Sequence, residues 1–529
     1  MTQTRKKTSS KTNFKKKTNP KKKTDSKRSK NLNRQKNTKK STNFKRAIKH
    51  FSWTWKKTLV ASLLLFLGYI IFGMCLPFWR HPEVNPFYKS SFSVENFYSD
   101  GVSVDRAAIL ETSKEALDER IRLISRAKHS LILSTFDMRQ GSSMDDLAAV
   151  LLEAADRGVS VQILVDGISG RLRMEGNQPF DLLAAHPNIE IKLYNRPNLF
   201  LPWTYHGRMH DKYMIADDIG YILGGRNTFD YFLGDYPSDG KSLDREVFIY
   251  NTAHGKENSG ESSLTQVKDY FERVWKSEDC SILSSRDPEQ KKEESQQKSR
   301  QLQEHLIAMK EDWPELFMED SHFEEITLPT HQVTLISGDI GIGGKSPLVW
   351  FQMQKLMESA TDRVILQTPY AVCSSEMLDG LRRLASGSAD CKLLLNAREN
   401  GDNVVASSDY TWKKSSIRKT GIPIYEYAGG TSSHGKSVLI DHRMTLIGSY
   451  NLDLRSTYVD TELMLAIDSE ELNQQLEGYL LPMIADSWAV QTDGSYEKPA
   501  HLSLEEAGLG KELFWRALGF VLKPFRILL

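Results

Sequence analysis

Hydrophobic residues are distributed along this chain in one long run and in many short ones. Residues 59–78 contain no charged side chain, and a run of this length can cross a lipid bilayer as a helix. Further along, short apolar runs at 131–136, 159–165 and 189–194 alternate with amphipathic stretches such as 145–157. Such apolar runs predict buried strands, and the amphipathic stretches predict helices. The pattern therefore predicts an α/β layered domain preceded by one transmembrane helix.

The order of predicted elements repeats in the second part of the chain. Strand-like runs at 364–369, 391–395 and 422–427 take the same places as the three runs above, again with a helical stretch after the first. Repetition of a whole set of elements indicates a duplicated domain. We therefore predict two α/β/α sandwich halves, residues 88–280 and 331–490, related by a pseudo-twofold axis.

Each half also carries the same polar residues at the same spacing. The pattern is His-x-Lys-x4-Asp-x6-Gly-x-x-Asn, formed by His210, Lys212, Asp217, Gly224 and Asn227 in the first half and by His434, Lys436, Asp441, Gly448 and Asn451 in the second. One His-x-Lys-x4-Asp is a weak signal, but a second copy with the same glycine and asparagine offsets makes coincidence implausible. Histidine and lysine two positions apart point to the same face of a strand, so both can reach one pocket.

These residue types suit the cleavage of a phosphodiester through a covalent intermediate. A neutral imidazole can attack phosphorus, and a second, protonated imidazole can supply the proton that the leaving alkoxide needs. Lys212, Lys436, Asn227 and Asn451 would bind the non-bridging oxygens, where negative charge develops. This chemistry needs no metal ion and no cofactor, and we expect neither. Because both motifs lie in one chain, a monomer would hold the complete site.

The paired motif is similar to that of the phospholipase D superfamily, and the chain resembles this superfamily over most of its length. Within it, the bacterial cardiolipin synthase branch is the most similar. Residues 448–456, with the sequence Gly-Ser-Tyr-Asn-Leu-Asp-Leu-Arg-Ser, resemble that branch's Asn-Leu-Asp-x-Arg-Ser element, and Glu462 resembles the glutamate after it. Residues 208–210 and 224–227 are similar to the first half of the same group. The resemblance implies a lipid phosphodiester as the substrate.

The resemblance also implies a role for each site residue. His210 would be the nucleophile, and His434 the general acid and then the base. The implied catalytic set is His210, Lys212, Asp217, His434, Lys436 and Asp441, with Asn227, Asn451 and Ser449 binding phosphate. Glu246 and Glu462 would orient the histidines, although Glu246 is equally compatible with a solvated turn before a strand at 247–250. Gly225 replaces the serine found at Ser449, and Asp460 stands where asparagine is common, so the preferred acceptor is left open.

Charge is distributed very unevenly along the chain. Residues 1–57 contain 22 Lys or Arg and a single acid, Asp25, which predicts a disordered tail. This tail carries +21 and the whole chain +2, so residues 58–529 carry −19. A basic tail directly before an apolar span predicts a cytoplasmic N-terminus and catalytic halves on the outer face of the cell membrane. Contact with anionic lipids is favoured for the tail, with nucleic acid or another partner as the alternative.

Two further segments flank the second half. Residues 281–330 are rich in Glu, Lys and Gln and are predicted to form a charged helical linker. Residues 491–529 end in a basic, aromatic-rich stretch at 509–529, predicted to lie at the membrane interface or to pack on the core. Cys280, Cys373 and Cys391 could form at most one disulfide among themselves, and their spacing indicates no metal site.

The sequence as a whole predicts a membrane-anchored phosphatidyltransferase. Its partners would be phosphatidylglycerol and a second lipid acceptor, and its product cardiolipin or a related phospholipid, formed through a phospho-histidine. Two alternatives use the same residues: a phospholipase D-type hydrolase with water as the acceptor, or a nuclease. The acidic balance of residues 58–529 argues against nucleic acid as the substrate, because binding a polyanion needs a basic groove.

Overall fold

The computed structural model describes residues 29–238, 240–283, 292–319 and 321–529, which divide into two units at Tyr69–Ile70. The first helix, α1 (Ser29–Cys75), contains most of Thr54–Phe78, the one stretch of the described residues that is long and apolar enough to cross a membrane. The sequence placed this span at 58–78. The structure gives residues 29–57, part of the tail for which the sequence predicts disorder, as a continuation of α1, which lysine, arginine and glutamine can extend at little cost once it is nucleated. Residues 1–28 lie outside the described residues.

The first half is built on a nine-stranded mixed sheet with the strand order β8-β4-β3-β2-β5-β6-β7-β1-β9. Its strands are β1 (Asp105–Leu110), β2 (Ser130–Thr135), β3 (Ser160–Asp166), β4 (Ile189–Tyr194), β5 (Tyr213–Ala216), β6 (Gly220–Gly224), β7 (Glu246–Asn251), β8 (Cys280–Ile282) and β9 (Leu328–Pro329). Its helices are α2 (Pro86–Ser91), α3 (Ser113–Arg126), α4 (Ser142–Asp156), α5 (Gly167–Ser169), α6 (Gln178–Ala185), α7 (Leu264–Trp275), α8 (Lys292–Asp312) and α9 (His322–Ile326). The last strand, β9, comes from the region predicted to be linker.

The second half has a nine-stranded sheet with the order β10-β16-β15-β14-β11-β12-β13-β17-β18. Its strands are β10 (Gln332–Ser337), β11 (Arg363–Gln367), β12 (Asp390–Asn396), β13 (Ile424–Tyr427), β14 (Ser437–Ile440), β15 (Met444–Gly448), β16 (Leu463–Asp468), β17 (Ser487–Val490) and β18 (Tyr496–Glu497). Its helices are α10 (Leu348–Glu358), α11 (Ser375–Ser386), α12 (Val404–Arg418), α13 (Leu454–Tyr458), α14 (Glu470–Ala485) and α15 (Leu509–Leu522).

The two sheets have the same topology, which confirms the predicted duplication. Strands β1 to β8 occupy the same relative places as β10 to β17, and only the edge strands β9 and β18 have no counterpart. Successive residues of a strand point to opposite faces, so each sheet has two apolar faces to bury. In β2, Leu131 and Leu133 join the outer core of the first half, whereas Ile132 joins a core shared by both sheets. This shared core also receives α7 and α14, and it holds the two halves together.

The linker and the C-terminal segment both pack against the halves. Helix α8 contacts α4 and α6, and it buries Leu302 and Met309 in the core of the first half. Helix α15 contacts α12 and buries Trp515, whereas Leu513 and Phe514 on the same helix stay exposed. The packing that the sequence offered as one alternative for 509–529 is therefore present, and the exposed residues leave the interfacial role as a prediction. Cys280, Cys373 and Cys391 are free thiols.

Candidate active site

The two motif histidines lie where the halves meet, and each is fixed by the backbone of the other half. Just before each histidine, a short parallel bridge connects the halves, Met209–Thr461 in one case and Leu243–Ser433 in the other. The backbone N–H of His210 donates to Thr461 O at 3.3 Å, and that of His434 donates to Leu243 O at 2.6 Å. These two backbone contacts are equivalent, so each half needs the other to hold its histidine in place.

His210 is oriented by a carboxylate from the second half. Its Nδ1 lies 2.8 Å from Glu462 Oε1, as the sequence led us to expect. The hydroxyls of Ser449 and Ser456 both donate to the same carboxylate. Donors that converge on a carboxylate favour its ionised form, which accepts the Nδ1–H of His210 and leaves Nε2 with a free lone pair.

Asp244 takes the equivalent position on His434. Its Oδ2 lies 2.6 Å from His434 Nδ1. The sequence analysis assigned this role to Glu246, and the structure corrects that assignment. Glu246 is fully buried elsewhere, where its carboxylate accepts hydrogen bonds from Arg120 Nη1 and Nη2 at 2.7 and 2.6 Å. It neutralises buried arginine and does not contact a histidine.

The error for Glu246 is a shift of two residues, from the first residue of β7 to the extended segment just before it. Glu246 pairs with the motif glycine of the first half, and Met464 pairs with the motif glycine of the second. Glu246 therefore corresponds to Met464, and Asp244 corresponds to Glu462. Residues two apart in an extended segment face the same side, so the sequence offers two acids that could both reach the histidine. Only the pairing register with the neighbouring strand shows which of them does. The segment between the motif asparagine and the orienting acid is longer in the first half than in the second. The spacing in the second half therefore does not identify the acid in the first.

Lys212 and Lys436 are almost completely buried beside the histidines. Lys212 Nζ donates to His210 O at 2.5 Å, and Lys436 Nζ donates to His434 O. Burial lowers the pKa of Lys212 to about 7 and that of Lys436 to about 8. Each ammonium group has N–H donors that the fold does not use. An anionic ligand could accept them, and its charge would offset the cost of removing the ammonium groups from water.

The motif asparagines are buried in equivalent places, and their side chains are not fully used by the fold. Asn451 Nδ2 donates to Tyr370 OH at 3.3 Å. The Oδ1 atoms of Asn227 and Asn451 are buried without a hydrogen-bond partner among the described residues. Buried polar atoms are normally satisfied, so a symmetric pair of unsatisfied amides fits a site that awaits a polar ligand.

Asp217 and Asp441, which the sequence placed in the catalytic set, instead hold the fold. Each lies in the turn after the strand that follows the motif lysine, with φ of 48° and 49°. The carboxylate of Asp217 accepts backbone N–H groups of residues 128–130 at 2.6–3.0 Å, and that of Asp441 accepts those of residues 361–363 at 2.8–3.2 Å. A strand of four residues separates each carboxylate from its lysine, a distance of about 13 Å. The catalytic role is therefore corrected to a structural one.

We expect Asp441→Asn to lower stability without lowering activity much. Asparagine tolerates a left-handed backbone but removes the charge, and the loss should be about 1 kcal/mol because Asp441 is partly exposed to water. Although burial acts in the opposite direction, the backbone N–H groups lower the pKa of Asp441. Its stabilisation is therefore complete above the pKa of the unfolded state and is lost as pH falls through the folded pKa. Thermal unfolding of wild type and variant at pH 7 and pH 3 tests this, since the difference should be smaller at pH 3 than at pH 7.

Ser449 supports Glu462 and is not free to bind phosphate as the sequence predicted. A hydroxyl has one proton, and that of Ser449 is donated to Glu462, while its oxygen accepts the N–H of Leu463 at 3.0 Å. The first half has Gly225 at this position for a steric reason. A Cβ at Gly225 would lie 2.4 Å from Asp244 Oδ1, so glycine makes room for the shorter acid.

The two histidine–carboxylate pairs differ electrostatically. Although burial acts in the opposite direction, Lys436 and His434 lower the pKa of Asp244 to about 2. Burial raises the pKa of Glu462 to about 8 against the opposing effect of Lys212. Burial and Lys436 lower the pKa of His434, an effect that Asp244 opposes, whereas burial and both lysines bring the pKa of His210 well below its usual range. His434 thus faces a permanently charged carboxylate, and His210 is held neutral.

Sequence reasoning missed four residues that contact the catalytic pairs. Asp244 and Ser456 belong to the carboxylate network described above. Phe136 lies with its ring centroid 5.0 Å from that of His210, and Phe232 lies 5.3 Å from that of His434. Asp244 could have been found from its position two residues before Glu246, whereas the aromatic contacts depend on loops whose course the sequence does not indicate.

Comparison with known proteins agrees with this geometry. The model of the family "Cardiolipin synthase, PLD-like domain" matches residues 121–275 and 353–484, more than half of the chain. An uncharacterized protein of Helicobacter pylori is 24% identical over 417 residues, covering 72% of this chain and 80% of its own. Cardiolipin synthase C of Escherichia coli is 28% identical over 427 residues, covering 73% of this chain and 86% of its own.

A solved structure shows the same architecture. The phosphatidylserine synthase of Haemophilus influenzae superimposes with a TM-score of 0.57 at 15% sequence identity, covering 82% of this chain and 99% of its own. At this identity the likeness concerns the fold alone, namely the two α/β halves. The family match spans both halves and both motifs, and the chain therefore belongs to the cardiolipin synthase PLD-like domain family, whose members modify phospholipids.

Proposed function

We propose that the protein is a membrane-anchored phosphatidyltransferase that makes cardiolipin or a related phospholipid from phosphatidylglycerol. The observation that carries this proposal is the paired arrangement of His210 with Glu462 and of His434 with Asp244, beside two buried lysines. This arrangement supplies a nucleophile, an acid and cationic groups for one phosphodiester. The candidate span Thr54–Phe78 would keep the site at the membrane, where both lipid substrates are concentrated.

The reaction takes two steps, with His210 as the nucleophile. Its Nε2 attacks the phosphorus of phosphatidylglycerol, the bond from phosphorus to the terminal glycerol oxygen breaks, and His434 gives its proton to the departing glycerol. In the second step His434 takes the proton from the hydroxyl of a second lipid. That oxygen attacks phosphorus, the bond from phosphorus to Nε2 breaks, and His210 returns to its initial state. Lys212 and Lys436 stabilise the charge on the non-bridging oxygens in both steps.

The difference between the two carboxylates supports this division of roles. Asp244 is ionised at all physiological pH values, and a fixed negative charge beside His434 favours the imidazolium form that an acid requires. Burial, Lys212 and Lys436 hold the pKa of His210 well below its usual range, so His210 stays neutral and remains available as a nucleophile. The motifs themselves are identical in the two halves, so the asymmetry comes only from the residues that the other half contributes.

We expect a bell-shaped pH dependence of kcat/KM with its maximum between about pH 7 and pH 8. On the acid side, Glu462 becomes protonated and no longer accepts the Nδ1–H of His210, so the nucleophile is lost. On the alkaline side, Lys212 and then Lys436 lose their charge and bind phosphate less well. Bound substrate raises the pKa of both lysines, so the alkaline limb of kcat should lie at higher pH than that of kcat/KM. Rates with a soluble short-chain diester test this, and a kcat/KM that stays constant from pH 6 to pH 10 would contradict it.

The proposed topology has the basic tail in the cytoplasm and both catalytic halves on the outer face of the cell membrane. Val102 is 81% exposed in the unit that carries the halves. A Val102→Cys variant should react in intact cells with a maleimide that does not cross membranes, whereas a Ser41→Cys variant in the tail should react only after lysis. Wild-type protein corrects for the native cysteines. The reverse pattern would show that the orientation is opposite.

Product analysis decides between transfer, hydrolysis and nucleic-acid cleavage. Full-length enzyme is given phosphatidylglycerol vesicles together with an oligonucleotide, and products are identified by mass spectrometry. Transfer yields cardiolipin and glycerol, whereas hydrolysis yields phosphatidic acid and glycerol. His210→Ala should abolish every product, and His442→Ala is the matched control, because His442 is an exposed histidine in a turn. Rapid cleavage of the oligonucleotide without any lipid product would overturn the proposal.

A further inference from the structure

The loop that leads to His210 carries an exposed apolar surface. It comprises residues 198–205, between β4 and β5. Its apolar side chains Leu199, Phe200, Leu201 and Trp203 are 63%, 68%, 37% and 37% exposed. Contiguous exposed apolar side chains are unusual on a soluble surface and mark a site of interaction. Nothing in the proposed reaction uses this surface.

The position of this loop relative to the candidate transmembrane span indicates the environment that its apolar side chains face. Pro202, at the centre of the loop, packs against the backbone of Gly73, so closely that a Cβ at Gly73 would lie 2.3 Å from Pro202 Cγ. Gly73 and the loop belong to the same unit, residues 70–529. Gly73 lies five residues before the end of the candidate span at Phe78, which is about 7.5 Å of helix. Interfacial segments commonly insert to a depth of about 5–10 Å, so the loop lies at the depth of the lipid interface.

Its hydrogen bonding prepares the loop for an apolar environment. Thr204 is central to this bonding, since its Oγ1 accepts the N–H of Asn198 at 2.9 Å and donates to Leu201 O at 2.7 Å. Leu201 N donates to Asn198 O at 3.0 Å, and Tyr205 OH donates to Leu199 O at 3.0 Å. Backbone groups that enter a bilayer must be satisfied internally, and these bonds satisfy the N–H groups of Asn198 and Leu201 and the carbonyls of Asn198, Leu199 and Leu201.

Basic side chains lie beside the loop and just after the end of the candidate span. Arg171 is exposed and donates through Nη1 to Pro197 O at 3.3 Å, and Arg173 is exposed on the same short helical segment. Arg80 is exposed two residues after the end of the candidate span. Apolar residues with arginine at their border are the combination that binds an anionic bilayer surface.

We propose that residues 198–205 form a wedge that inserts into the lipid bilayer beside the transmembrane helix. The proposal rests on Thr54–Phe78 crossing the membrane, and it does not depend on which phosphodiester the enzyme cleaves.

The wedge is rigidly connected to the catalytic strand. Arg208 is buried, and it donates through Nη1 to Thr204 O at 3.0 Å and through Nε to Asp166 at 2.7 Å. Its backbone N–H donates to Asp460 at 2.9 Å, in the bridge that fixes His210. Insertion of the wedge therefore fixes the height of His210 relative to the lipid phosphates.

Depth measurements on a spin label test insertion without any turnover. A nitroxide is attached to Leu199→Cys in the full-length protein reconstituted into vesicles of phosphatidylglycerol and phosphatidylethanolamine. Ile307→Cys is the matched control, because Ile307 is 59% exposed on α8, and labelled wild type corrects for the native cysteines. The ratio of collisions with oxygen to collisions with a water-soluble nickel complex should be several times higher at position 199. Equal ratios at the two positions would overturn the proposal.

A second experiment measures the consequence for the reaction. Leu199→Asp changes an exposed side chain, so the fold is retained, and Ile307→Asp is its control. The rate on phosphatidylglycerol in vesicles, divided by the rate on a soluble short-chain diester, should fall about tenfold in Leu199→Asp and not in Ile307→Asp. An unchanged quotient would contradict the wedge. If the enzyme formed no cardiolipin, the spin-label result would still decide the wedge independently of the proposed function.

Discussion

Replacement of His434 by alanine is expected to leave an enzyme that loads a phosphatidyl group onto His210 and then releases it about a thousandfold more slowly. The first step with phosphatidylglycerol needs His434 to protonate the departing glycerol. A substrate with p-nitrophenol as the leaving group does not need this proton, so its first step should stay fast. The second step still lacks a base, because the variant has no imidazole at position 434. A burst of p-nitrophenol followed by slow turnover is therefore the expected result.

The comparison with His210→Ala makes this test specific. That variant has no nucleophile, so it should release p-nitrophenol neither in a burst nor in later turnover. Peptide mapping of the trapped His434→Ala enzyme should locate the phosphatidyl group on the peptide that contains His210. Label on His434 in the His210→Ala variant would show that the two roles are reversed and that the asymmetry between Asp244 and Glu462 does not determine the nucleophile.

Much of this fold could be predicted because it depends on local patterns. The alternation of strands and helices, its repetition and the paired motif all lie within short stretches of sequence. The two α/β halves follow from these patterns, and the role of Glu462 follows from the resemblance of residues 448–462 to the cardiolipin synthase branch. A strand with histidine and lysine two residues apart fixes both side chains on one face, whatever surrounds it.

The remaining features depend on contacts between distant residues. Asp244 and Glu246 are equally good acids on one face of a strand, and only the pairing with β6 shows which one reaches His434. Asp217 belongs to the motif, but its role is set by the backbone of residues 128–130, which is remote in sequence. The helix over residues 29–57 escaped prediction because a highly charged composition was taken to mean disorder.

The strongest test of the corrected register compares Asp244→Asn with Glu246→Gln. Both changes replace a buried carboxylate with an amide of the same shape, on residues two apart. Asp244→Asn should lower kcat by about 10²–10⁴-fold, because an amide neither stabilises the imidazolium of His434 nor holds it in the required tautomer. The change also removes a charge that faces buried Lys436 and Arg226, so kcat should be compared in the folded enzyme, well below its unfolding temperature.

Glu246→Gln should lower stability without lowering the kcat of the folded enzyme. Its carboxylate accepts two hydrogen bonds from buried Arg120, so loss of the charge leaves that guanidinium without its carboxylate partner, whereas buried Arg226 keeps Asp244 and Glu111 nearby. Breaking such a buried pair costs about 3–5 kcal/mol, so the loss should appear as a lower unfolding temperature. The fraction that remains folded should keep a kcat close to that of wild type, because Glu246 does not contact either histidine. If Glu246→Gln instead abolished turnover in a stable protein, the assignment of Asp244 to His434 would be refuted. Glu246, and not Asp244, would then be the acid on which His434 depends.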